Sequence, residues 1–171
     1  MMKTSDEEKT IRVLIADDDD LILDCYREAF VEPETTQELQ VIDALAAELF
    51  DVEATTNEDS KFQLVECSQG EDAVSLVKAA ADKGDPFDVV ILDVRMPPGI
   101  DGVEAGSQIR ALDPNVEIVF VTGYSDVPVE EMQRRVPPAM KMHHFSKPLS
   151  FTQLAQDVAT MVTATERRDD D

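Results

Sequence analysis

The chain has 171 residues, enough for one domain that buries a core without disulfides or metal ions. Its 15 Lys and Arg stand against 37 Asp and Glu, a net charge of −22, which argues against nucleic acid or an anionic membrane surface as a direct partner. The two cysteines, Cys25 and Cys67, lack CxxC spacing and read as free thiols packed as small hydrophobes. Residues 1–10 are polar and charged, an N-terminal arm unlike a signal peptide. No apolar run approaches the roughly 18 residues of a membrane span, so a cytoplasmic protein is the expectation.

Residues 11–16, Ile-Arg-Val-Leu-Ile-Ala, form a nearly continuous apolar run, the pattern of a strand buried on both faces. A helix follows, with Ile22, Cys25, Tyr26, Ala29 and Phe30 on one face. Residues 31–61 are surplus to a simple alternation. Thr35 and Glu38 suggest a cap there, and Leu39, Ile42, Ala46, Leu49 and Phe50 an apolar helical face, so an extra packed helix and then a polar loop over 53–61 are expected. Residues 62–67 read as a second, more alternating strand. Ser68 and Glu71 have capping-box spacing at the start of a helix carrying Ala73, Val74, Val77, Ala80 and Ala81.

Strands are also expected over 87–92 and 116–121, and a weaker one over 140–146. Between them, residues 103–112 suit a helix closed by Pro114, and Pro128 suits the first turn of a helix reaching Arg135. The last helix has Ser150 and Gln153 as a capping box, Leu149 and Leu154 as a staple, and an apolar stripe of Phe151, Leu154, Ala155, Val158, Met161 and Val162. The domain is expected to end near residue 165, with 166–171 as a solvated charged tail. Strands alternating with helices imply βαβ units, a parallel sheet and helices on both its faces.

In such a sheet the reactive edge lies beyond the carboxyl ends of the strands. The first strand ends in Asp17, Asp18, Asp19 and Asp20; the third in Asp93; the fourth in Thr122 and Gly123; the fifth in Lys147 and Pro148. Asp20 reads as a solvated residue or helix cap. Carboxylates clustered this way need a cation. Mg²⁺ takes one or two carboxylates plus waters and phosphate oxygens, so Asp18 and Asp93 are candidate direct ligands and Asp17 a ligand through water. The second oxygen of Asp93 is then a nucleophile that needs no general base, and attack on a phosphoryl group gives an acyl phosphate. Lys147 and Thr122 are placed to neutralise charge on the transferred group.

The blocks Ile15-Ala16-Asp17-Asp18-Asp19, Leu92-Asp93-Val94-Arg95-Met96-Pro97, Val121-Thr122-Gly123-Tyr124 and Phe145-Ser146-Lys147-Pro148 resemble the signature blocks of CheY-like response-regulator receiver domains. The resemblance spans residues 11–163. The stretches 96–104 and 122–126 are similar to a subgroup with a long segment before its second strand. The resemblance implies a flavodoxin-like, doubly wound five-stranded sheet in order 2-1-3-4-5. It also implies phosphoryl transfer to Asp93 from a phosphohistidine on a sensor histidine kinase or phosphotransfer protein. Asp17 and Asp18 would organise Mg²⁺ with the Arg95 main-chain carbonyl. Thr122 and Lys147 would meet the phosphoryl group, and the side chains of Arg95 and Tyr124 would modulate its lifetime. The implied role is a signalling switch whose face runs from Thr122 to Phe145 toward a downstream protein or linked output module, in a stand-alone receiver or one cut from a longer chain.

Two departures stand out. Pro98 is an extra residue in the loop after Asp93. His144, followed by Phe145, occupies the position where many receivers carry the aromatic that turns inward on activation. A metal site at His143-His144 is disfavoured because neighbours on a strand face opposite sides. Gly99 and Gly102 read as turn glycines. Two other functions compete: an aspartyl-nucleophile phosphatase, which would carry an acid where Arg95 stands, and a phosphate-independent scaffold, which would lack one of the acids or the lysine.

Overall fold

The computed structural model describes residues 9–31, 61–123 and 127–169. Five strands, β1 (Ile11–Ala16), β2 (Phe62–Cys67), β3 (Val89–Asp93), β4 (Glu117–Thr122) and β5 (Met142–Ser146), form one parallel sheet in the order β2-β1-β3-β4-β5. Among the described residues the helices are α1 (Asp20–Val31), α2 (Gly70–Asp82), α3 (Gly102–Leu112), α4 (Val129–Arg135) and α5 (Phe151–Asp169), with a short 3₁₀ turn at Ala139–Lys141 before β5. This is the doubly wound, flavodoxin-like order expected. The segment assigned to an extra helix lies outside the described residues.

The continuous apolar runs are central strands with two buried faces. Val13 and Ile15 of β1, Val89 and Ile91 of β3, and Val119 and Val121 of β4 pack with Leu23, Tyr26 and Phe30 of α1 and Leu154, Val158 and Val162 of α5. Their neighbours Leu14, Val90, Leu92, Ile118 and Phe120 point the other way, onto Ala73 and Val77 of α2, Val103 and Ile109 of α3, and Met132 of α4. Each such side chain contributes roughly 1.5–3 kcal/mol on burial. β2 and β5 are edges and only half-buried. The last helix runs on through Asp169, so residues 166–169 of the expected tail are helical.

Four local expectations need correction in whole or in part. Asp20 is exposed, as its reading as a solvated residue has it, and the cap of α1 is Asp19: its carboxylate accepts from Leu21 N at 2.9 Å and its carbonyl from Leu23 N. In a run of four aspartates the cap falls where the chain turns out of the strand. Ser68 does not cap α2. The N-cap is Gln69, which has no side-chain cap bond, and the Glu71 carboxylate turns outward to Ile100 N. Gly102 is the first residue of α3 and no turn glycine: a Cβ there would overlap the Asp93 carbonyl. The capping box at α5 forms one arm only. Ser150 Oγ accepts from Gln153 N at 3.2 Å, while the Gln153 amide reaches Asp157.

At the amino ends of the strands, the buried Arg110 of α3 donates to the carbonyls of Asp113, Pro114, Val116 and Lys141. It ties the end of α3 to the entries of both β4 and β5. Nearby, the buried Glu117 accepts from Thr165 Oγ1 of α5 at 2.6 Å and pairs with His143 Nε2 of β5 at 2.8 Å. His143 is therefore engaged as a structural partner. Cys25 and Cys67 are free thiols, and burial pushes the Cys67 thiol up to about 11.

Candidate functional site: an acidic pocket at the carboxyl rim of the sheet

Register places the rim. Ala16 pairs with Cys67 on one side and Leu92 on the other, Asp93 pairs with Val121, and Thr122 pairs with Ser146. The residues that follow β1 and end β3 and β4 therefore share one edge. Asp17, Asp93 and Thr122 are buried there, and burial of carboxylates is unusual unless they are paired. Lys147, just past β5, lies over them. Its Nζ stands 3.2 Å from Asp17 Oδ2 and 3.5 Å from Asp93 Oδ2, and its main-chain N donates to the Thr122 carbonyl at 2.8 Å.

The remaining carboxylate oxygens are oriented by the main chain. Asp17 Oδ1 accepts from Asp19 N at 2.9 Å, and Asp93 Oδ1 from Arg95 N at 3.3 Å. Each aspartate thus turns one oxygen into its own loop and the other toward Lys147. Asp18 is exposed, and carboxylate oxygens of Asp17, Asp18 and Asp93 lie within 4.8 Å of one another. Burial raises the Asp93 carboxyl above the usual range, and the nearby Asp17 carboxylate raises it further. Burial raises Asp17 too, against the pull of the Asp19 amide and Lys147. For Lys147 burial opposes the charged form, but the attraction of Asp17 and Asp93 prevails and its pKa is raised. One ammonium facing three carboxylates leaves excess negative charge, which a hard divalent cation with oxygen ligands relieves. The donor set fits Mg²⁺.

Asp17, Asp18, Asp93 and Lys147 are thus brought together, and Thr122 lies on the same rim. Arg95 is exposed in the loop beyond Asp93. His144 sits opposite Phe120 and is half-buried; Phe145 sits opposite Val121 and packs against the α1 and α5 cluster. Tyr124 lies outside the described residues. The sequence places Tyr26 of α1 on a core-facing stripe and gives it no part in the site. It is fully buried, and burial, then the Asp17 and Asp93 carboxylates, push its phenol well above the usual range. It packs against Phe151 of α5 in an edge-to-face contact at 4.9 Å.

Buried acids and a lysine gathered at the carboxyl rim of a five-stranded parallel sheet mark the chain as a doubly wound α/β protein with its charged site at that edge. The family model for the response regulator receiver domain matches residues 43–159, and the chain belongs to this family, a component of two-component phosphorelay systems. The match begins after β1, so Asp17 and Asp18 join the site through the pairing of β1 with β3. The chain is 30% identical over 97 residues to the sensor kinase CckA of Brucella abortus (strain 2308), covering 57% of this chain and 10% of that protein. It is 29% identical over 80 residues to the response regulator receiver protein CpdR of the same organism, covering 47% and 63%. The chain therefore spans less than two thirds of either relative. A CheY-like receiver domain structure from Methanospirillum hungatei JF-1 has the same fold: TM-score 0.64, 16% identity, covering 94% of this chain and 99% of that one. Among the described residues no helix is long and apolar enough to cross a membrane.

Proposed function

We propose that this receiver domain takes a phosphoryl group on Asp93 from a phosphohistidine of a sensor histidine kinase or phosphotransfer protein, and that the modified state is read by a downstream protein or linked output module. The observation that carries the reading is the meeting of Asp17, Asp18 and Asp93 under the Lys147 ammonium at one rim of the sheet. The incoming phosphorus forms a bond to an Asp93 carboxylate oxygen as its bond to the imidazole nitrogen breaks. The electron pair leaves with the imidazole, which is protonated by solvent. Lys147 offers a point charge to the transferred oxygens, and Thr122 a hydroxyl donor.

Asp18 and Asp93 would hold Mg²⁺ with the Arg95 carbonyl, and Asp17 through water. When bound, the ion supplies neutralisation of charge shared between the carboxylates and the phosphoryl group. The product is a switch in place of a turnover catalyst: the acyl phosphate biases the face from Thr122 to Phe145 between two arrangements. Tyr124, His144 and Phe145 are assigned to that face, and the side chain of Arg95 to the lifetime of the acyl phosphate. Incubation with Mg²⁺ and acetyl phosphate is expected to add one acid-stable, base-labile phosphoryl group to the wild type and none to Asp93→Asn. Label on the Asn variant would place the acceptor elsewhere, and turnover of phosphomonoesters would make the protein a hydrolase.

A further inference from the structure

The loop from Asp93 to Gly102 carries the acceptor and the proposed carbonyl ligand, and it holds the extra residue Pro98. Its two ends are fixed by main-chain bonds, Val94 N to Val121 O and Gly102 N to Val94 O. Its middle is gripped by side chains from the start of α2. Gln69 uses both ends of its amide: Nε2 donates to the Pro97 carbonyl and Oε1 accepts from Gly99 N, each at 3.3 Å, so the amide spans Pro98. Glu71 Oε1 accepts from Ile100 N at 2.9 Å. Gly99 is what admits that carboxylate, since a Cβ at 99 would overlap Glu71. Gly70, between the two, lies against Ile100, where a Cβ would come within 2.9 Å of Ile100 Cγ1.

We propose that Gln69 and Glu71 are positioning residues that hold the Pro97–Ile100 main chain so that the Arg95 carbonyl stays aimed at the cation site. This rests on the reading of Asp17, Asp18, Asp93 and the Arg95 carbonyl as Mg²⁺ ligands. Neither side chain touches the ion or the phosphoryl group. Their effect is on the preorganisation of a main-chain ligand, and outer partners of that kind are worth about 10–100-fold in metal affinity. A loop lengthened by Pro98 has more main chain to order, and a side-chain clamp across the added residue orders it before the ion arrives.

The test is calorimetric titration of MgCl₂ into the full chain, for wild type, Gln69→Ala, Glu71→Ala and Glu71→Gln, alongside labelling by acetyl phosphate over a range of Mg²⁺. Both alanine variants are expected to bind Mg²⁺ about tenfold or more weakly. Their labelling should shift to higher Mg²⁺ yet reach the wild-type plateau. Glu71→Gln keeps an oxygen for Ile100 N and should titrate like the wild type. Wild-type affinity in both alanine variants, or equal loss in Glu71→Gln and Glu71→Ala, overturns the assignment. A wild type that neither binds Mg²⁺ nor takes label overturns the underlying reading as well, and the wild-type arm alone reveals it.

Discussion

Lys147 Nζ stands 3.2 Å from Asp17 Oδ2, a contact across 130 residues of chain that bridges two ends of the fold over a buried carboxylate. With Asp93 Oδ2 on its other side, the ammonium separates two like charges. Lys147→Ala removes the separator and leaves both carboxylates facing each other. The variant should unfold at lower urea at neutral pH, by roughly 1–3 kcal/mol. That is less than the cost of breaking a fully buried pair, since Lys147 is about a quarter exposed. A wild-type urea midpoint at low salt without divalent ions would mean that the contact carries no energy.

Asp93→Asn should do the opposite. Burial and the neighbouring Asp17 raise the Asp93 carboxyl, so the fold binds that proton more tightly than the unfolded chain does. Ionisation therefore costs stability as pH rises through the folded value, and the neutral amide removes the cost. In divalent-free buffer at neutral pH the variant is expected to melt higher than the wild type. Added Mg²⁺ should then raise the wild-type melting temperature more than the variant's. At one hundred times the dissociation constant, binding adds about 2.7 kcal/mol to a binding-competent fold. Equal gains in both proteins would remove Asp93 from the ligand set.

Glu117 has the reverse linkage. Burial opposes its charge, yet the bonds from His143 and Thr165 and the charges around it hold the carboxyl below the usual range. A depressed carboxyl stabilises the fold above its unfolded pKa, and that contribution is lost as pH falls toward the folded value. Glu117→Gln should cost about 1–2 kcal/mol at neutral pH. Urea unfolding from neutral to strongly acidic pH checks this: the gap between wild type and variant should close on acidification. A gap independent of pH would show that packing, not charge, is at work.

Two rim glycines should respond differently to alanine. Gly102→Ala drives a methyl into the Asp93 carbonyl, main chain that is pinned by β3, and should cost roughly 1–3 kcal/mol and slow labelling of Asp93. At Gly123 the nearest heavy atom to an added Cβ is Lys147 Cδ at 3.9 Å, ordinary contact. Gly123→Ala should stay within about 0.5 kcal/mol. Parallel thermal melts and labelling time courses decide, and equal behaviour of the two variants would contradict the packing described for Gly102.

The sheet was legible in the sequence because β1, β3 and β4 are buried on both faces and so read as nearly continuous apolar runs, with the rim residues at or directly after their ends. Capping was less legible. Asp17 to Asp20 offer four chemically equal caps, and only the path of the chain selects Asp19. The bracing by Gln69 and Glu71 left no pattern to read. Each bond joins a side chain to main chain 28 to 30 residues away, and main-chain acceptors and donors, proline's missing N–H aside, carry no mark of residue type.

At the far end of the strands, the guanidinium of Arg110 fastens α3 to the entries of β4 and β5. That staple makes the amino end of this half of the sheet a fulcrum. Sliding the edge strand along its neighbour would break the arginine's bonds to both carbonyls, so β5 is held most firmly at this end. Freedom to move should therefore grow with distance from Arg110, toward the rim where Lys147 stands.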